Sequence, residues 1–448
     1  MKRSELLARA GYLAAAAVLS PRTDTQSSTA SAWPSEKLWA RLERRVGGNL
    51  LRVRSPFDVC RRDPSGAACA HVFQSLSNPY SIGDDPALTQ TSGWLDAWTS
   101  SPSVYAVAAR HADDVAAAIN FAREHRVRLV VKGGGHSYQG TSNAPSSLLV
   151  WTRRMNEIML HDAFVPKGCG AVAQPVPAVS VEAGAIWFAA YDAVTTKGGR
   201  YVQGGGCTTV GVAGLVSSGG FGSFSKHYGT AASWLLEAEI VTADGKIRTV
   251  NACSDPELFW ALKGGGGGTF GVITRLTLRT HDLDDRWGGA NFTVKANSDR
   301  AFQRLLARFV TFYRSQLFND RWGEQAHFTP HNELVVSMVF RTLDGPAARA
   351  IWAPFLDWLA ASPGDYRLTS GRTSALCRRS IGGTCNGAAD TDATLSSSIR
   401  VPAPRRGTRG GRAMAGRLAG SSMASARCGC PRPYWATSSA TVFATRSL

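Results

Sequence analysis

Residues 130–138 read VVKGGGHSY, a short apolar strand that runs directly into three glycines and a histidine. Consecutive glycines let several backbone N–H groups point into one concavity, which suits a diphosphate. No Lys-Ser or Lys-Thr pair follows, so the segment is not an ATP-binding P-loop, and it does not open a helix as a dinucleotide G-x-G-x-x-G motif does. From these residues alone two interpretations stay open: a cofactor loop, or a structural turn that carries a surface histidine.

Two further glycine-rich segments follow. Residues 201–222 read YVQGGGCTTVGVAGLVSSGGFG, and residues 262–274 read LKGGGGGTFGVIT. Each glycine gives up side-chain burial and costs chain entropy, so this many in an apolar stretch favours close approach of the backbone to a flat ligand. Plainer alternatives are a small buried core thiol for Cys207 and a flexible low-complexity loop for residues 264–268.

The elements around these segments predict an α+β fold. Apolar periodicity predicts a helix over 113–122, and short apolar or alternating runs predict strands. An Asp-Gly pair at 244–245 predicts a hairpin, and the run SDPE at 254–257 predicts a capping box. The other predicted elements are strands at 127–132, 147–152, 178–182, 236–242, 246–250, 271–280 and 334–341, and helices at 185–196, around 302–312 and at 347–360.

In order and spacing, the three segments resemble the FAD-binding domain of the vanillyl-alcohol-oxidase superfamily, known as the PCMH type, and more narrowly its berberine-bridge-enzyme-like branch. The resemblance runs from about Ser100 to His281, with a looser match to about 370. It implies an FAD-binding domain of two α+β subdomains, followed by an α+β substrate domain with an antiparallel sheet that is incomplete here. It also implies an FAD-dependent oxidoreductase that oxidises a C–H next to O or N. The substrate would be an alcohol, a sugar or an alkaloid-like amine, which passes a hydride to the flavin, and oxygen or another electron acceptor would reoxidise it.

The resemblance also implies specific cofactor-binding residues. In that branch a His bonds to the flavin 8α-methyl carbon and a Cys bonds to flavin C6, and His136 and Cys207 occupy these positions, which implies FAD held covalently at both. The other implied cofactor-binding residues are Gly133, Gly134, Gly135, Ser137 and Tyr138 around the diphosphate, Gly206, Val210, Gly211, Gly214, Gly219, Gly220 and Gly222 along the ring and ribityl chain, and Val272 near the adenine.

The catalytic base of the family lies in the substrate domain, and the sequence does not identify it. Tyr313, Glu324 and Glu333 stand in the corresponding region, whereas Tyr228 is expected to pack in the core. Two alternative functions accompany the main one. One is a catalytically inactive flavin-binding remnant without a complete substrate domain. The other is a reductase of the related cell-wall type, against which the His and Cys pair argues.

Composition divides the chain into five predicted regions. They are a signal peptide at 1–32, a lead-in at 33–98, the FAD-binding domain at 99–281, a partial substrate domain at 282–370 and a basic tail at 371–448. Basic residues, a short apolar run and a small-residue cleavage pattern predict export to the periplasm or the exterior, with a frayed helix of a cytoplasmic protein as the alternative. The tail has nine Leu, Ile, Val or Phe in 78 residues, so we expect disorder there. It departs from the family's C-terminus and fits an out-of-frame reading of the gene.

Charge and cysteine usage exclude several classes of function. The net charge is +17, but twelve Arg against two Asp in the tail supply +10 of it, and no basic patch with interleaved aromatics remains elsewhere. Nucleic-acid binding is therefore not expected, and no apolar stretch reaches the roughly 18 residues of a membrane span. The nine Cys lack metal-ligand spacing, so no metal is expected. Cys60 and Cys69 are either a small disulfide loop or two thiols.

Overall fold

A computed structural model of the chain describes residues 33–90, 98–323 and 325–377, with the backbone alone for 370–377. The last described strand ends at Cys377 and so crosses the predicted domain boundary at 370/371. Three predictions fall outside the described residues: the signal peptide at 1–32, the tail beyond 377 and Glu324 as a candidate base.

Helices and strands alternate along most of the described chain. The helices are α1 (Glu36–Arg45), α2 (Asp58–Arg62), α3 (Ala67–Ser75), α4 (Pro79–Gly83), α5 (Ala112–Glu124), α6 (Trp187–Tyr191), α7 (Val212–Ser217), α8 (Ser225–Tyr228), α9 (Pro256–Ala261), α10 (Asp299–Phe312) and α11 (Gly345–Ala360). The strands are β1 (Leu50–Arg52), β2 (Tyr105–Ala108), β3 (Arg128–Lys132), β4 (Ser147–Trp151), β5 (Ile158–Phe164), β6 (Val176–Glu182), β7 (Arg200–Tyr201), β8 (Leu235–Val241), β9 (Ile247–Asn251), β10 (Val272–Arg279), β11 (His281–Asp282), β12 (Arg286–Ala296), β13 (Trp322–Gly323), β14 (Ala326–Thr329), β15 (Glu333–Arg341) and β16 (Tyr366–Cys377).

The first sheet has the strand order β1-β2-β4-β3, in which β2, β4 and β3 run parallel and β1 is an antiparallel edge. All five residues of β4 are buried, as expected of a parallel strand covered on both faces. Helix α5 covers one face and shares an apolar cluster with Leu148 and Val150. The loop at 133–136 leaves β3 at its carboxyl end, the edge of a parallel sheet where ligands bind.

The second sheet is antiparallel, with the order β5-β6-β10-β8-β9. Its core joins the buried face of β6, β8 and β10 to Trp187 of α6 and to Val212 and Val216 of α7. Helix α7 begins at Val212, five residues after Cys207, so packing of this helix fixes the segment that carries Cys207. The two sheets with their helices form two α+β subdomains, so the predicted fold class is confirmed.

The third sheet lies in the region predicted to be the substrate domain and is also antiparallel. Strand β12 lies between β15 and β16, while β13 and β14 both pair with β15. Helices α10 and α11 cover one face through an aromatic cluster in which Trp352 and Phe355 are almost fully buried. On β12 and β15 polar residues alternate with this buried set, and Ser337 donates a hydrogen bond to Asn291 across the opposite face at 2.9 Å.

The predicted capping box was wrong, whereas the helix predicted over 185–196 is present but changes its type. The capping box at 254–257 does not form, because Asp255 has a left-handed backbone (φ 51°) and makes no side-chain cap. Instead, the side-chain carbonyl of Asn251 accepts the Ser254 N–H at 2.9 Å. The helix predicted over 185–196 changes from α to π at Asp192 and continues to Lys197.

Two disulfide bonds form within the first 253 residues of the chain. Cys60 and Cys69 are bonded, with their Cα atoms 4.7 Å apart. Cys169 and Cys253 are bonded as well, across 84 residues, and no spacing in the sequence had indicated this pair. Among the described residues, no helix is both long and apolar enough to cross a membrane, and no cluster of three His, Cys, Asp or Glu is arranged to bind a metal ion.

Candidate cofactor site

The first and second glycine-rich segments meet backbone to backbone. A Cβ atom placed on Gly134 would lie 2.7 Å from both the Gly211 nitrogen and the Thr209 carbonyl oxygen. A Cβ on Gly211 would lie 2.9 Å from the Gly134 nitrogen. Side chains are therefore sterically excluded at this crossing, and the glycines allow the two loops to touch. The structure brings together two segments that are more than seventy residues apart in the sequence.

His136 and Cys207 converge on one hydroxyl group at this crossing. The Nε2 atom of His136 lies 3.0 Å from Oγ1 of Thr209, and Sγ of Cys207 lies 3.8 Å from the same oxygen. Thr209 itself is buried, whereas the His and Cys side chains are half-buried. Both predicted attachment residues thus share one polar partner and remain partly accessible.

The imidazole of His136 is held neutral. Burial lowers its pKa from 6.5 to about 4, and the interaction with Thr209 offsets only part of that shift. When Nε2 carries the proton and donates it to Thr209, Nδ1 keeps its lone pair. A neutral imidazole with a free lone pair is a nucleophile at physiological pH.

The remaining predicted glycines fall into two groups. Gly214 and Gly219 face open space, since a Cβ on either would meet nothing within 4 Å. Gly220 and Gly222 serve packing instead: a Cβ on Gly220 would lie 2.5 Å from the Leu215 side chain, and one on Gly222 would collide with the Gly204 carbonyl. Only the first group leaves room for a ligand beside the backbone.

The other predicted residues occupy varied positions. Gly135 has a positive φ, and Gly206 is exposed. The Tyr138 ring is 59% exposed, and its carbonyl accepts from Trp98 Nε1 at 2.8 Å. Ser137 bonds Thr141 within its own loop.

Val210 contributes a backbone hydrogen bond to this region, and Val272 contributes a side chain to its apolar core. The Val210 carbonyl accepts from Trp187 N at 3.0 Å. Val272 is buried in the core beside Val241, so its closeness to an adenine stays a prediction. The third glycine segment joins the second through a Gly266 N–H bond to the Ser217 carbonyl at 2.9 Å.

The site fits FAD by steric and chemical criteria. Open backbone at Gly214 and Gly219 provides a surface without side chains. The crossing of the loops places a neutral imidazole and a thiol beside one hydroxyl group. Both groups are suited to bonding an electron-poor ring.

The candidate bases of the substrate domain differ in their surroundings. Glu333 lies 3.8 Å from the Lys295 ammonium and accepts from Thr329, so its carboxylate is engaged in an ion pair. Tyr313 lies beside Lys226, whose Nζ is 5.5 Å from the ring centroid, and burial raises the pKa of this tyrosine. No residue is identified as the base from these contacts.

A mostly buried ion pair of the predicted substrate domain lies against the cofactor-binding part of the chain. Arg341 donates to both carboxylate oxygens of Asp284, at 2.6 and 2.8 Å, and its guanidinium lies 5.4 Å from the Tyr228 ring centroid. Tyr228 stacks on Tyr201 with 4.4 Å between ring centroids. Burial raises the pKa of Tyr228, so its phenol stays protonated and it packs in the core as expected.

The sequence reasoning missed the residues that hold the two loops. Thr209 stands two positions after Cys207, and this closeness in sequence is the signal that could have identified Thr209. Lys132 directly precedes the glycines and is buried, with its ammonium bonded to three backbone carbonyls. In the sequence, the signal for Lys132 was a charged residue at the end of an apolar strand, directly before the glycines.

Comparison with known proteins agrees with this geometry. The family model described as an FAD binding domain matches residues 103–251. The FAD-linked oxidoreductase asqF of Emericella nidulans is 34% identical over 289 residues, which are 59% of this chain and 50% of that protein. The crystal structure of the VAO-type flavoprotein MtVAO615 from Myceliophthora thermophila superposes with a TM-score of 0.67 at 28% identity, covering 78% of this chain and 65% of that one.

A more distant structure has the same fold. A variant of berberine bridge enzyme gives a TM-score of 0.53 at 20% identity, covering 74% of this chain and 60% of that one. The chain spans 44% to 60% of the length of the curated relatives compared with it. Residues 103–251 match an FAD-binding domain, and the chain as a whole is similar to VAO-type FAD-linked oxidoreductases.

Proposed function

We propose that this chain is an FAD-dependent oxidoreductase whose flavin is bonded to both His136 and Cys207. The observation that carries the proposal is the shared contact of these two side chains with the Thr209 hydroxyl. Two nucleophiles of different chemistry lie together where two glycine loops cross. A structural role alone does not account for that combination.

The residues of the chain prepare the attachment in distinct ways. Burial keeps His136 neutral, so its imidazole needs no deprotonation before it bonds carbon. Cys207 must lose its thiol proton, because the thiolate is the nucleophilic form. The Thr209 hydroxyl lies 3.0 Å from Nε2 of His136 and 3.8 Å from Sγ of Cys207, and so directs both side chains. It is too weak a base to take the thiol proton, which passes to solvent from the half-buried Cys207. FAD, when bound, supplies the hydride acceptor for the oxidation.

The substrate we propose is a small molecule with a C–H next to O or N, such as an alcohol, a sugar or an alkaloid-like amine. Oxygen or another carrier would take the electrons. The contact of the Arg341 guanidinium with the Tyr228 ring, 5.4 Å from its centroid, supports a fixed placement of the predicted substrate domain against the cofactor domain, which oxidation of a positioned C–H requires. The polar face of the third sheet offers hydroxyl and amide groups such as Ser337 and Asn291 for substrate binding.

The first experiment tests the attachment. After acid precipitation the wild-type pellet should be yellow, and either His136→Ala or Cys207→Ala should keep flavin through the remaining bond. The double variant should release it to the supernatant. His161→Ala is a matched control, because that imidazole bonds Ser180 on the second sheet, outside the loop crossing. Flavin that leaves the wild-type protein on acid treatment would contradict the proposal.

The second experiment separates an active oxidoreductase from a flavin-binding remnant. Candidate alcohols, sugars and amines are mixed with the yellow protein under anaerobic conditions, and bleaching of the flavin absorbance is followed. Bleaching by one substrate class identifies both activity and substrate. A protein that keeps its flavin oxidised with every candidate, although dithionite bleaches it, would support the remnant.

We also propose that the protein is exported. Disulfide bonds persist in oxidising compartments, and the described residues hold two of them, one across an 84-residue separation. Cell fractionation tests this: we expect the protein in the periplasm or medium with both bonds formed. Reduced cysteines at these positions in protein from the cytoplasm would argue for the alternative location.

A further inference from the structure

A short segment before the FAD-binding domain lies across the His136 loop. The backbone carbonyls of residues 85–88 all accept hydrogen bonds from side chains of the cofactor domain. Lys132 Nζ donates to the carbonyls of 85, 86 and 88 at 3.2, 2.6 and 2.8 Å. Asn143 Nδ2 donates to the carbonyl of Ala87 at 3.2 Å. Four consecutive carbonyls are thus held by two buried side chains on either side of the loop.

The same segment also contacts the loop backbone directly. The N–H of Gln90 donates to the Gly135 carbonyl at 2.8 Å. A Cβ on Gly135 would lie 3.6 Å from both the Gln90 nitrogen and the Thr89 Cα, so the segment packs directly on the glycine. Its other end is held by an ion pair at 2.8 Å between Asp84 and Arg153.

A second contact reaches the loop that carries Cys207. The phenol of Tyr80 lies 3.1 Å from the Thr208 hydroxyl, next to Cys207 in sequence. Tyr80 also packs edge-on against Phe188 with 5.9 Å between ring centroids. Residues 79–90 therefore touch both loops at once, each through a different residue.

The chemistry of Lys132 makes this contact specific. Three acceptor carbonyls require three N–H donors, which only the ammonium form provides, because a neutral amine has two. Burial opposes this and lowers the pKa of Lys132 to about 7. The Asp85 charge favours the ammonium, which is bonded to three backbone carbonyls of residues 85–88. Displacing this segment would leave a buried charge without its hydrogen-bond partners, so the ammonium constrains the path of the chain there.

We propose that residues 79–90 form a strap that positions the two flavin-attachment loops, with Lys132 as the positioning residue for the His136 loop and Tyr80 for the Cys207 loop. This inference rests on the proposed bonding of flavin at both residues. The strap lies outside residues 103–251, so the matched domain alone does not contain it. Residues of the predicted lead-in at 33–98 then belong to the cofactor site, with one positioning residue for each of the two loops.

The test uses the full chain with one attachment residue removed at a time. In a Cys207→Ala background, where only His136 can bond flavin, Lys132→Met should slow covalent incorporation about tenfold, because small displacements of reacting groups are costly. In a His136→Ala background the same change should have an effect of less than about twofold. Tyr80→Phe should show the opposite pattern. Incorporation is measured as acid-stable flavin absorbance over time after FAD is added.

Controls separate positioning from loss of stability. Lys246→Met removes an exposed lysine at a hairpin turn, and Tyr105→Phe removes a buried phenol in the first sheet; neither should change incorporation in either background. Thermal unfolding is recorded for every variant. Overall destabilisation would lower incorporation equally in both backgrounds, whereas the strap predicts loop-specific losses.

The outcomes distinguish the two proposals. Equal losses in both backgrounds, or no loss in either, would overturn the strap while leaving bicovalent attachment standing. Release of flavin by the wild-type protein would overturn both. Should Lys132→Met fail to fold, Tyr80→Phe decides alone, because it removes a single hydroxyl: slower incorporation only at Cys207 supports the strap, and an unchanged rate overturns it.

Discussion

Replacing Thr209 with valine should slow flavin attachment at both loops. Valine keeps the shape of threonine but loses the hydroxyl that His136 and Cys207 share. The contact with Nε2 at 3.0 Å is an ordinary hydrogen bond, worth about 1 kcal/mol net. Because about 1.4 kcal/mol corresponds to tenfold in rate, loss of that bond should slow attachment at His136 about fivefold. The Sγ contact is longer, at 3.8 Å, so we expect a smaller effect at Cys207.

The assay follows acid-stable flavin after FAD is added to protein prepared without it. Each attachment is measured separately in the His136→Ala and Cys207→Ala backgrounds. Thr209→Ser keeps the hydroxyl and should restore the rate, although it removes a methyl group from the buried site. If Thr209→Val attaches flavin at the wild-type rate in the Cys207→Ala background, the shared hydroxyl does not orient His136 and the reasoning fails.

Three further predictions concern the loop crossing, pH and the domain contact. Gly134→Ala places a Cβ 2.7 Å from facing backbone and should reduce bound flavin and the Tm, whereas Gly170→Ala meets nothing within 4 Å and should change neither; equal effects would contradict the steric account. Burial lowers the pKa of His281 from 6.5 to about 4, so its contribution to stability is complete above pH 6.5 and is lost as the pH falls towards 4. A Tm profile of His281→Phe that is no flatter than the wild type over that range would refute this. Arg341→Met leaves the Asp284 carboxylate unpaired in a mostly buried place, which should cost roughly 3 kcal/mol and, at about 2–4 °C per kcal/mol, lower the calorimetric Tm by roughly 6–12 °C. Adding Asp284→Asn should recover part of that loss, and no recovery would count against the ion pair.

Local patterns in the sequence identified fewer than half of the described helices and strands. Strands with continuous apolar runs, such as β4, and helices with a clear apolar stripe, such as α10, were placed within three residues of their ends. Strand β5 was missed because none of its residues is fully buried, so it lacks the apolar alternation that marks a strand. The π segment that follows α6 has no signature in residue type, since it depends on how that turn packs.

The cofactor loops were found from sequence, whereas their supports were not. Glycine clusters next to a His and a Cys are local features that a linear reading detects. Tyr80 contacts Thr208, which is 128 residues away in the sequence. Lys132 bonds backbone carbonyls within residues 85–88, which are more than forty residues away. Every residue has a backbone carbonyl, so residue types do not indicate which carbonyls will bind a lysine. Only the folded chain shows which carbonyls Lys132 contacts.

The order of strands in the second sheet has a consequence for synthesis of the protein on the ribosome. Strand β10 lies between β6 and β8, yet it is made after both of them. The start of β10 lies 90 positions after the end of β6 and 31 positions after the end of β8. At about 5–20 residues per second, β6 waits on the order of ten seconds and β8 a few seconds for their shared neighbour. During that time each presents an apolar edge that could pair with another chain. Slower translation or lower chaperone capacity should therefore reduce the yield of soluble protein before any flavin is attached.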